Sequence, residues 1–268
     1  MFFGAKNETL TLGDASMDYI SFGHGAEPLI LLPGLGDGLR TVKGTAIPVA
    51  MAYRKFAKRY KVYAFSRKSP LEQGTSTRDM ARDVKTAMDA LGIAKAHLIG
   101  VSQGGMIAQY VAIDYPDAVS SLVLAVTLAR QNPTIQKAVG HWLELAAAGD
   151  YRGLVIDTAE KSYSEPYLKK YRRLYPLLVR IGKPKDFGRF MIQAAACLRH
   201  DAYEELDRIQ CRTLVIGGGQ DQIVGPDSAT QLAEKITRSR LLLFESYGHG
   251  VYEEAKDFND LVSSFLEG

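Results

Sequence analysis

The sequence predicts an α/β fold with a mostly parallel, doubly wound sheet and one helical insertion. Short apolar runs typical of buried strands alternate with segments of helical periodicity up to residue 129, and the alternation resumes after residue 205. Between residues 130 and 205 helical segments follow one another without a convincing strand. We therefore divide the chain into two parts of one core, residues 1–129 and 206–268, and a helical lid insertion, residues 130–205.

The composition is that of a globular protein. The 268 residues are 46% hydrophobic and 24% charged, and a net charge of +3 is too small to indicate a nucleic-acid partner. No apolar run approaches the roughly 18 to 20 residues of a membrane span. Cys197 and Cys211 provide neither a disulfide framework nor a paired metal-ligand spacing. Residues 1–6 lack the basic and apolar stretches of a signal peptide, so we expect a cytoplasmic protein.

The first predicted strands form the edge and the beginning of the sheet. Residues 9–12 and 17–20 alternate polar and apolar side chains around the turn at Gly13-Asp14, which predicts an antiparallel hairpin. Residues 29–32 are continuously apolar, a pattern typical of a strand buried on both faces. We expect the sheet interior to begin with this strand.

Helices and strands then alternate, as a parallel sheet requires. The elements predicted up to residue 129 are a helix over 49–58, a strand over 60–66, a helix between residues 76 and 92, a strand over 96–99, a helix from residue 106 and a strand over 121–126. Pro48 favours the start of the first helix. Ser76 and Asp79 form a capping box for the second, which Gly92 ends.

The insertion is predicted to be helical and basic. Its four predicted helices cover residues 133–148, 154–163, 167–181 and 187–198. Residues 131–200 contain 12 Lys and Arg but 6 Asp and Glu. This excess of positive charge is consistent with an ordinary solvated outer face, and also with anionic substrates or an acidic surface.

The last part of the chain returns to the α/β pattern. A strand is predicted over residues 212–216, a helix over 226–236 and a strand over 241–244. The final helix has an apolar face that should dock on the sheet, formed by Phe258, Leu261, Val262, Phe265 and Leu266.

A G-x-S-x-G pattern joins the strand over 96–99 to the helix that follows it. The pattern is Gly100-Val101-Ser102-Gln103-Gly104. Between a strand and a helix it is typical of a nucleophile elbow, a tight turn that holds a serine in a strained conformation at the end of the sheet. An ordinary loop also satisfies the pattern, so the remainder of the chain decides between these interpretations.

The glycine-rich turn over residues 33–38 has several interpretations. A phosphate loop would end in Gly-Lys-Ser or Gly-Lys-Thr, and a dinucleotide loop would have a third glycine where Leu39 stands. Neither is therefore indicated. A flexible turn and a turn that presents a backbone N–H to an oxyanion both stay open at this point. Asp37 is expected to be a turn residue.

Three residues together indicate nucleophilic catalysis. A serine hydroxyl needs a base, and the base needs a third group that orients it. Ser102, Asp221 and His249 have the chain order Ser, Asp, His, and each follows a predicted strand. Because parallel strands end at one edge of the sheet, we expect the three side chains to gather there. Four histidines are expected to have no catalytic role: His24, His97, His141 and His200.

On these motifs the chain resembles the α/β-hydrolase fold superfamily, in its lidded, single-domain esterase and lipase-like branch. The resemblance covers essentially the full length outside the insertion. It implies Ser102 as the nucleophile, His249 as the base and Asp221 as the acid. It also implies an oxyanion hole formed by the backbone N–H groups of Gln103 and Leu35.

The sequence departs from the family pattern at one place. Pro33-Gly34 stands where family members commonly have His-Gly. Because the oxyanion donor belongs to the main chain, the change need not remove it, and Gly36 is the alternative to Leu35. A serine at the elbow argues against the haloalkane dehalogenase and epoxide hydrolase relatives, which use an aspartate there.

The resemblance implies hydrolysis of a carboxylic ester of a small or medium-sized, partly apolar molecule through an acyl-enzyme, without a metal or organic cofactor. Trp142 and Met191 in the lid are expected to line the acyl pocket, although such residues also pack within a lid. Thioesterases, lactonases, C–C bond hydrolases, aminopeptidases and perhydrolases share the same residues. A ligand-binding protein or receptor on this fold is the alternative without catalysis.

Overall fold

Eight strands lie where the sequence predicts them. The computed structural model describes residues 2–180 and 182–268. The strands are β1 Lys6–Leu12, β2 Ala15–Phe22, β3 Glu27–Leu32, β4 Tyr60–Phe65, β5 Ala96–Val101, β6 Val119–Ala125, β7 Arg212–Gly218 and β8 Ser239–Phe244. They form one sheet in the order β1-β2-β4-β3-β5-β6-β7-β8. β2 pairs antiparallel with β1 and β4, and the other pairs are parallel, which confirms the predicted sheet.

The helices cover both faces of the sheet and form one separate group. They are α1 Ala46–Ala52, α2 Thr77–Ala90, α3 Gln103–Asp114, α4 Pro133–Ala147, α5 Tyr151–Ser162, α6 Glu165–Tyr171, α7 Tyr175–Leu178, α8 Gly188–Cys197, α9 Ser228–Lys235, α10 Val251–Glu254 and α11 Phe258–Glu267. α2, α3 and α9 pack on one face, and α1 and α11 pack on the other. Among the described helices, none is long and apolar enough to cross a bilayer.

The core explains the continuous apolar run in β3. Ile30 and Leu32 point into the cluster under α2 and α3, whereas Leu29 and Leu31 point into the opposite cluster. All four side chains are buried. A third apolar cluster lies under α4, α5 and α8. We call residues 133–197, which contain α4 to α8, the helical segment. This segment joins β6 to β7.

The first helix begins and ends earlier than predicted. The prediction was residues 49–58, whereas α1 is Ala46–Ala52. Pro48 fits within the first turn of a helix, where its missing N–H has no role. Beyond the helix the chain turns to place Phe56 in the core next to Tyr60, and the backbone N–H of Tyr60 donates to the carbonyl of Phe56. That reversal is needed to enter β4.

Two other helices also differ from their predictions. The helix expected over 167–181 is divided into α6, a 3-10 turn at Arg172–Leu174 and α7. Pro176 lies in the first turn of α7, and a proline cannot continue a preceding helix because it lacks an N–H. Residue 181, the last of that prediction, lies outside the described residues. α3 starts at Gln103 and not at Met106 because the helix begins directly at the elbow.

Candidate active site

Ser102 has the strained backbone expected of a nucleophile elbow. It lies between β5 and α3 with φ +53° and ψ −120°, a conformation that costs an L residue about 1–3 kcal/mol. Its backbone N–H donates to the carbonyl of Ala125 at 2.9 Å. Its own carbonyl accepts a hydrogen bond from Thr127 Oγ1 at 2.8 Å. The end of β6 thus holds the serine in place.

Glycine is required at the elbow because neighbouring atoms lie too close to leave room for a Cβ atom. A Cβ on Gly104 would lie 1.9 Å from the carbonyl oxygen of Leu32, and a Cβ on Gly100 would lie 2.5 Å from the carbonyl oxygen of Gly104. A Cβ on Gly105 would meet the side chain of Thr127 at 2.6 Å. Real Cβ atoms do not approach other atoms so closely, so α3 can start against the sheet only with glycine here.

The glycine-rich turn lies directly against Ser102. A Cβ on Gly34 would be 3.3 Å from the Cβ of Ser102. A 3-10 turn starts at Leu35 and α3 starts at Gln103, so neither backbone N–H has an acceptor within its own helix. Gln103 directly follows the serine, and Leu35 follows Gly34; their role as oxyanion donors stays a prediction. Gly36, the alternative to Leu35, is exposed.

Asp221 and His249 form a buried pair at the ends of β7 and β8. His249 Nδ1 lies 2.7 Å from Asp221 Oδ2, and the exposed fractions of the two side chains are 9% and 2%. Asp221 Oδ1 accepts the backbone N–H groups of Ile223 at 2.8 Å and Val224 at 2.9 Å. Because the carboxylate can only accept, it favours the tautomer with the proton on Nδ1 and leaves Nε2 of His249 as a base.

The loop that carries His249 is fixed by the end of α5. The backbone N–H of Gly250 donates to the carbonyl of Ser162 at 2.7 Å. A Cβ on Gly250 would lie 2.4 Å from the ring of Tyr163, and a Cβ on Gly248 would lie 2.9 Å from the carbonyl oxygen of Ser162. The helical segment therefore sets the position of this loop by direct contact.

Ser102 and His249 line the same cavity. Its volume is about 710 Å³, and Leu35 also forms part of its wall. The helical segment supplies mostly apolar side chains to the cavity wall, namely Trp142, Leu154, Val155, Ala159 and Leu178. A mostly apolar cavity with a few polar side chains in its wall, here Ser102 and His249, is typical of sites for small, partly apolar molecules.

The two residues predicted to line the acyl pocket have different positions. Trp142 lines the cavity, and its indole Nε1 donates to Asp157 Oδ2 at 2.7 Å. Met191 instead packs against the apolar cluster under the helical segment, outside the set of described residues that form the cavity wall. The two side chains thus differ in position although both lie on apolar helix faces, and a role of Met191 in substrate binding stays a prediction.

A buried polar network lies behind the glycine-rich turn. Asp37 Oδ2 accepts hydrogen bonds from the backbone N–H of Arg67 at 3.1 Å, Arg189 Nη2 at 2.8 Å and Gln193 Nε2 at 3.2 Å. Arg67 is 3% exposed, and its Nη2 donates to Gln103 Oε1 at 2.9 Å. Burial lowers the pKa of the Arg67 guanidinium, and Asp37 opposes that shift. Asp37 thus does more than form a turn: it ties the turn to α8.

Sequence reasoning missed this network, although one signal pointed to it. Arg67 follows β4, so it lies at the same edge of the sheet as the three predicted catalytic residues. Arg189, which donates to the carbonyl of Arg67, and Gln193, which donates to Asp37, belong to α8, more than one hundred residues along the chain. No local pattern links such distant residues.

The remaining histidines lie outside the cavity wall. His200 is buried between Thr77, whose hydroxyl lies 2.9 Å from Nδ1, and the ring of Tyr110. Burial lowers the pKa of His200 to about 3, so its imidazole is neutral. His97 pairs with Ser121 Oγ at 2.8 Å within the sheet. Within residues 2–180 and 182–268, no cluster of His, Cys, Asp or Glu side chains could hold a metal ion.

The sequence has recognisable relatives. A family model described as alpha/beta hydrolase fold matches residues 27–256. The 2-hydroxy-6-oxo-6-phenylhexa-2,4-dienoate hydrolase of Comamonas testosteroni is 30% identical over 206 residues, which is 69% of this chain and 68% of that protein. A pimeloyl-[acyl-carrier protein] methyl ester esterase of Neisseria meningitidis is 28% identical over 201 residues, with coverages of 69% and 76%.

A solved structure shows the same fold over nearly the whole chain. It is an alpha/beta hydrolase enzyme from a Medee basin deep-sea metagenome library. The TM-score is 0.87 at 22% sequence identity, and the match covers 97% of this chain and 98% of the other.

Proposed function

This chain belongs to the α/β hydrolase fold family, and on that premise we propose that it is a serine hydrolase that cleaves a carboxylic ester of a small or medium-sized, partly apolar molecule. One observation carries the proposal: His249 Nδ1 is hydrogen-bonded to Asp221 Oδ2 at 2.7 Å, and His249 lines the same cavity as Ser102. The strained serine, the oriented imidazole and the apolar cavity are the parts that such a reaction needs.

In the proposed reaction His249 Nε2 takes the proton of the Ser102 hydroxyl while Oγ attacks the ester carbonyl carbon. The backbone N–H groups of Leu35 and Gln103 bind the oxyanion that forms, and Asp221 stabilises the imidazolium. The intermediate then collapses. The bond to the alcohol breaks, His249 returns its proton to the leaving alkoxide, and an acyl-enzyme remains.

Water completes the proposed cycle. His249 removes a proton from a water molecule that attacks the acyl carbonyl carbon, and the same two N–H groups bind the second oxyanion. The bond to Ser102 Oγ breaks, and the proton returns from His249 to the serine. The carboxylic acid leaves, and the chain is unchanged.

We also propose that residues 130–205 act as a lid over the cavity and that the core consists of residues 1–129 and 206–268. The side chain of Trp142 contributes to the cavity wall, which supports a role in binding the acyl group. The hydrogen bond from Gly250 to Ser162 supports a connection between the lid and the loop of His249.

A C–C bond hydrolase is the second candidate. It is favoured by the 30% identity to the phenylhexadienoate hydrolase of Comamonas testosteroni. Both reactions use an activated serine or water beside an oxyanion site, so the geometry supports either. Rates on matched ester, thioester, lactone and vinylogous diketone substrates distinguish them, and stoichiometric binding without turnover would favour a ligand-binding protein.

The intact mass of the protein after exposure to a fluorophosphonate probe tests the proposal. We expect one adduct on the wild type and none on Ser102→Ala, because only an activated serine reacts. The variant should keep its fold, since the elbow is held by the backbone N–H and carbonyl of Ser102, and its hydroxyl bonds no other described residue. A folded wild type without an adduct, or a Ser102→Ala protein with full hydrolytic activity, would contradict the proposal.

A further inference from the structure

One short part of the helical segment exposes most of its apolar side chains. Four of the eight exposed large hydrophobic residues in the described chain lie between residues 171 and 178, namely Tyr171 at 38%, Leu174 at 44%, Leu177 at 58% and Leu178 at 40%. In α6, the following 3-10 turn and α7, only Leu168 and Tyr175 are buried. Single exposed leucines are ordinary, but a cluster of them marks a surface that binds something.

The same stretch carries an excess of positive charge. Residues 165–180 contain five Lys and Arg and one carboxylate, Glu165. Arg172 already has partners within the chain, because its guanidinium donates hydrogen bonds to the carboxylates of Glu160 and Glu165. Four exposed cations make no salt bridge with any described residue: Lys169, Lys170, Arg173 and Arg180. Lys169 lies one helical turn after Glu165, whose carboxylate Arg172 already holds.

The surface has a defined shape. Arg172 ties it to α5 through Glu160, and the hydroxyl of Tyr175 donates to the same carboxylate at 3.0 Å. The ring of Tyr171 stacks on Tyr167 with centroids 4.3 Å apart. Internal pairs therefore fix the segment, while Leu174, Leu177 and the four cations stay directed to solvent.

We infer that this surface, formed by Tyr171, Leu174 and Leu177 with Lys169, Lys170, Arg173 and Arg180, docks on an anionic lipid bilayer. Leucines at the level of the head groups would be removed from water, and the cations would lie beside lipid phosphates. A basic segment with interspersed apolar residues is typical of membrane-surface binding.

A bilayer fits this surface better than an acidic protein does. The leucines belong to a stretch in which nearly every neighbouring side chain is also exposed, so they form a projecting surface and not a groove. A fluid lipid surface covers such a projection without a matching shape, whereas a protein partner needs a complementary pocket. The four unpaired cations supply the complementary charge.

The position of Leu178 connects this surface to the cavity. Leu178 is 40% exposed and also lines the cavity that Ser102 and His249 share. Docking would therefore bring one side of the cavity to the lipid surface, where partly apolar esters concentrate. This use of the surface rests on the proposed function, whereas the docking itself does not.

The test is co-sedimentation of the full chain carrying Ser102→Ala with vesicles. Vesicles of phosphatidylcholine alone are compared with vesicles in which about one third of the lipid is phosphatidylglycerol. We expect binding to the anionic vesicles to be at least about tenfold tighter and to weaken as salt is added. Equal binding to both vesicles, or binding to neither, would overturn the inference.

Matched variants locate the surface. Lys169→Glu with Lys170→Glu, and separately Leu177→Asp, should each reduce binding at least about tenfold. The control Lys58→Glu with Lys256→Glu changes the net charge equally at two exposed lysines elsewhere, and Phe2→Asp is the control for Leu177→Asp. Equal losses in variants and controls would overturn the inference. Circular dichroism and the thermal midpoint check that each variant is folded.

Two further outcomes separate the alternatives. If a soluble polyglutamate peptide bound as tightly as the anionic vesicles and competed with them, the surface would be one for an acidic protein and the lipid inference would be wrong. Because the Ser102→Ala protein is used throughout, vesicle binding does not depend on catalysis. A failure of fluorophosphonate labelling would therefore count against the proposed hydrolase and not against the docking.

Discussion

Arg67 Nη2 lies 2.9 Å from Oε1 of Gln103 and 2.5 Å from the carbonyl oxygen of Pro33. One buried guanidinium therefore joins the turn before Leu35 to the first residue of α3. Leu35 and Gln103 carry the N–H groups proposed for the oxyanion, so we expect the distance between these two donors to depend on Arg67.

Replacing Arg67 should slow the reaction more than it weakens substrate binding. Arg67→Met removes both hydrogen bonds while keeping an unbranched side chain. We expect kcat to fall about tenfold with KM within about twofold, because the oxyanion donors act mainly on the transition state. The free energy of unfolding should fall by about 2–4 kcal/mol, because buried polar groups lose their partners. Steady-state kinetics and urea unfolding measure the two effects.

The matched control is Arg78→Met. Arg78 pairs with Asp114 and Glu205, and none of the three lines the cavity within the described residues. We expect a smaller loss of stability and an unchanged kcat. The prediction fails if folded Arg67→Met has the wild-type kcat, or if Arg78→Met loses as much.

The elbow offers a prediction about stability. Gly104→Ala places a Cβ 1.9 Å from the carbonyl oxygen of Leu32, a contact with backbone that no rotamer can relieve. We expect a loss of more than about 4 kcal/mol, so that little folded protein is obtained. Gly36→Ala is the control, since a Cβ there meets no atom within 4 Å. Thermal unfolding compares them, and two similar midpoints would contradict the close packing at Gly104.

The same geometry explains which parts of the site could be predicted from the sequence. Ser102, Asp221 and His249 each follow a strand, and parallel strands end at one edge, so local patterns were sufficient to predict the Asp221–His249 pair and a cavity wall that Ser102 and His249 share. Arg67 also follows a strand, but its network includes Arg189 of α8, and only the folded chain shows that the two meet. The sequence could not place Met191 because core packing and cavity lining produce the same helical periodicity.

Other expectations depend on properties that this fold does not determine. The bounds of the lid at residues 130 and 205, the cytoplasmic location and the ester as substrate stay predictions. Helix ends were also difficult to predict: α1 ends where the chain must turn to bury Phe56, which is a tertiary requirement and not a local one. Helix propensity alone would continue such a helix.

The residues of the cavity wall predict which side chain sets the preference for the length of the acyl group. Trp142 lines the cavity and Met191 does not, although both lie in the helical segment. Trp142→Leu removes a large part of the wall, so we expect the ratio of kcat/KM for long and short acyl esters to change at least about fivefold. Met191→Leu should leave the ratio within about twofold, because it conserves volume away from the cavity. Equal changes in the two variants would contradict this assignment.

His200 makes stability depend on pH. Burial lowers its pKa from 6.5 to about 3, so between these values the unfolded chain binds a proton that the folded protein excludes. The free energy of unfolding should therefore decrease as the pH falls below 6.5, by up to about 1.4 kcal/mol per pH unit from this group.

In His200→Gln this contribution is absent, so its stability should fall less steeply than that of the wild type. Urea unfolding between about pH 7 and pH 5 measures both slopes, with the exposed His141→Gln as the control. His97, whose pKa burial also lowers, is retained in every protein compared. Parallel slopes for wild type and His200→Gln would mean that His200 takes up its proton in the folded protein as readily as in the unfolded chain.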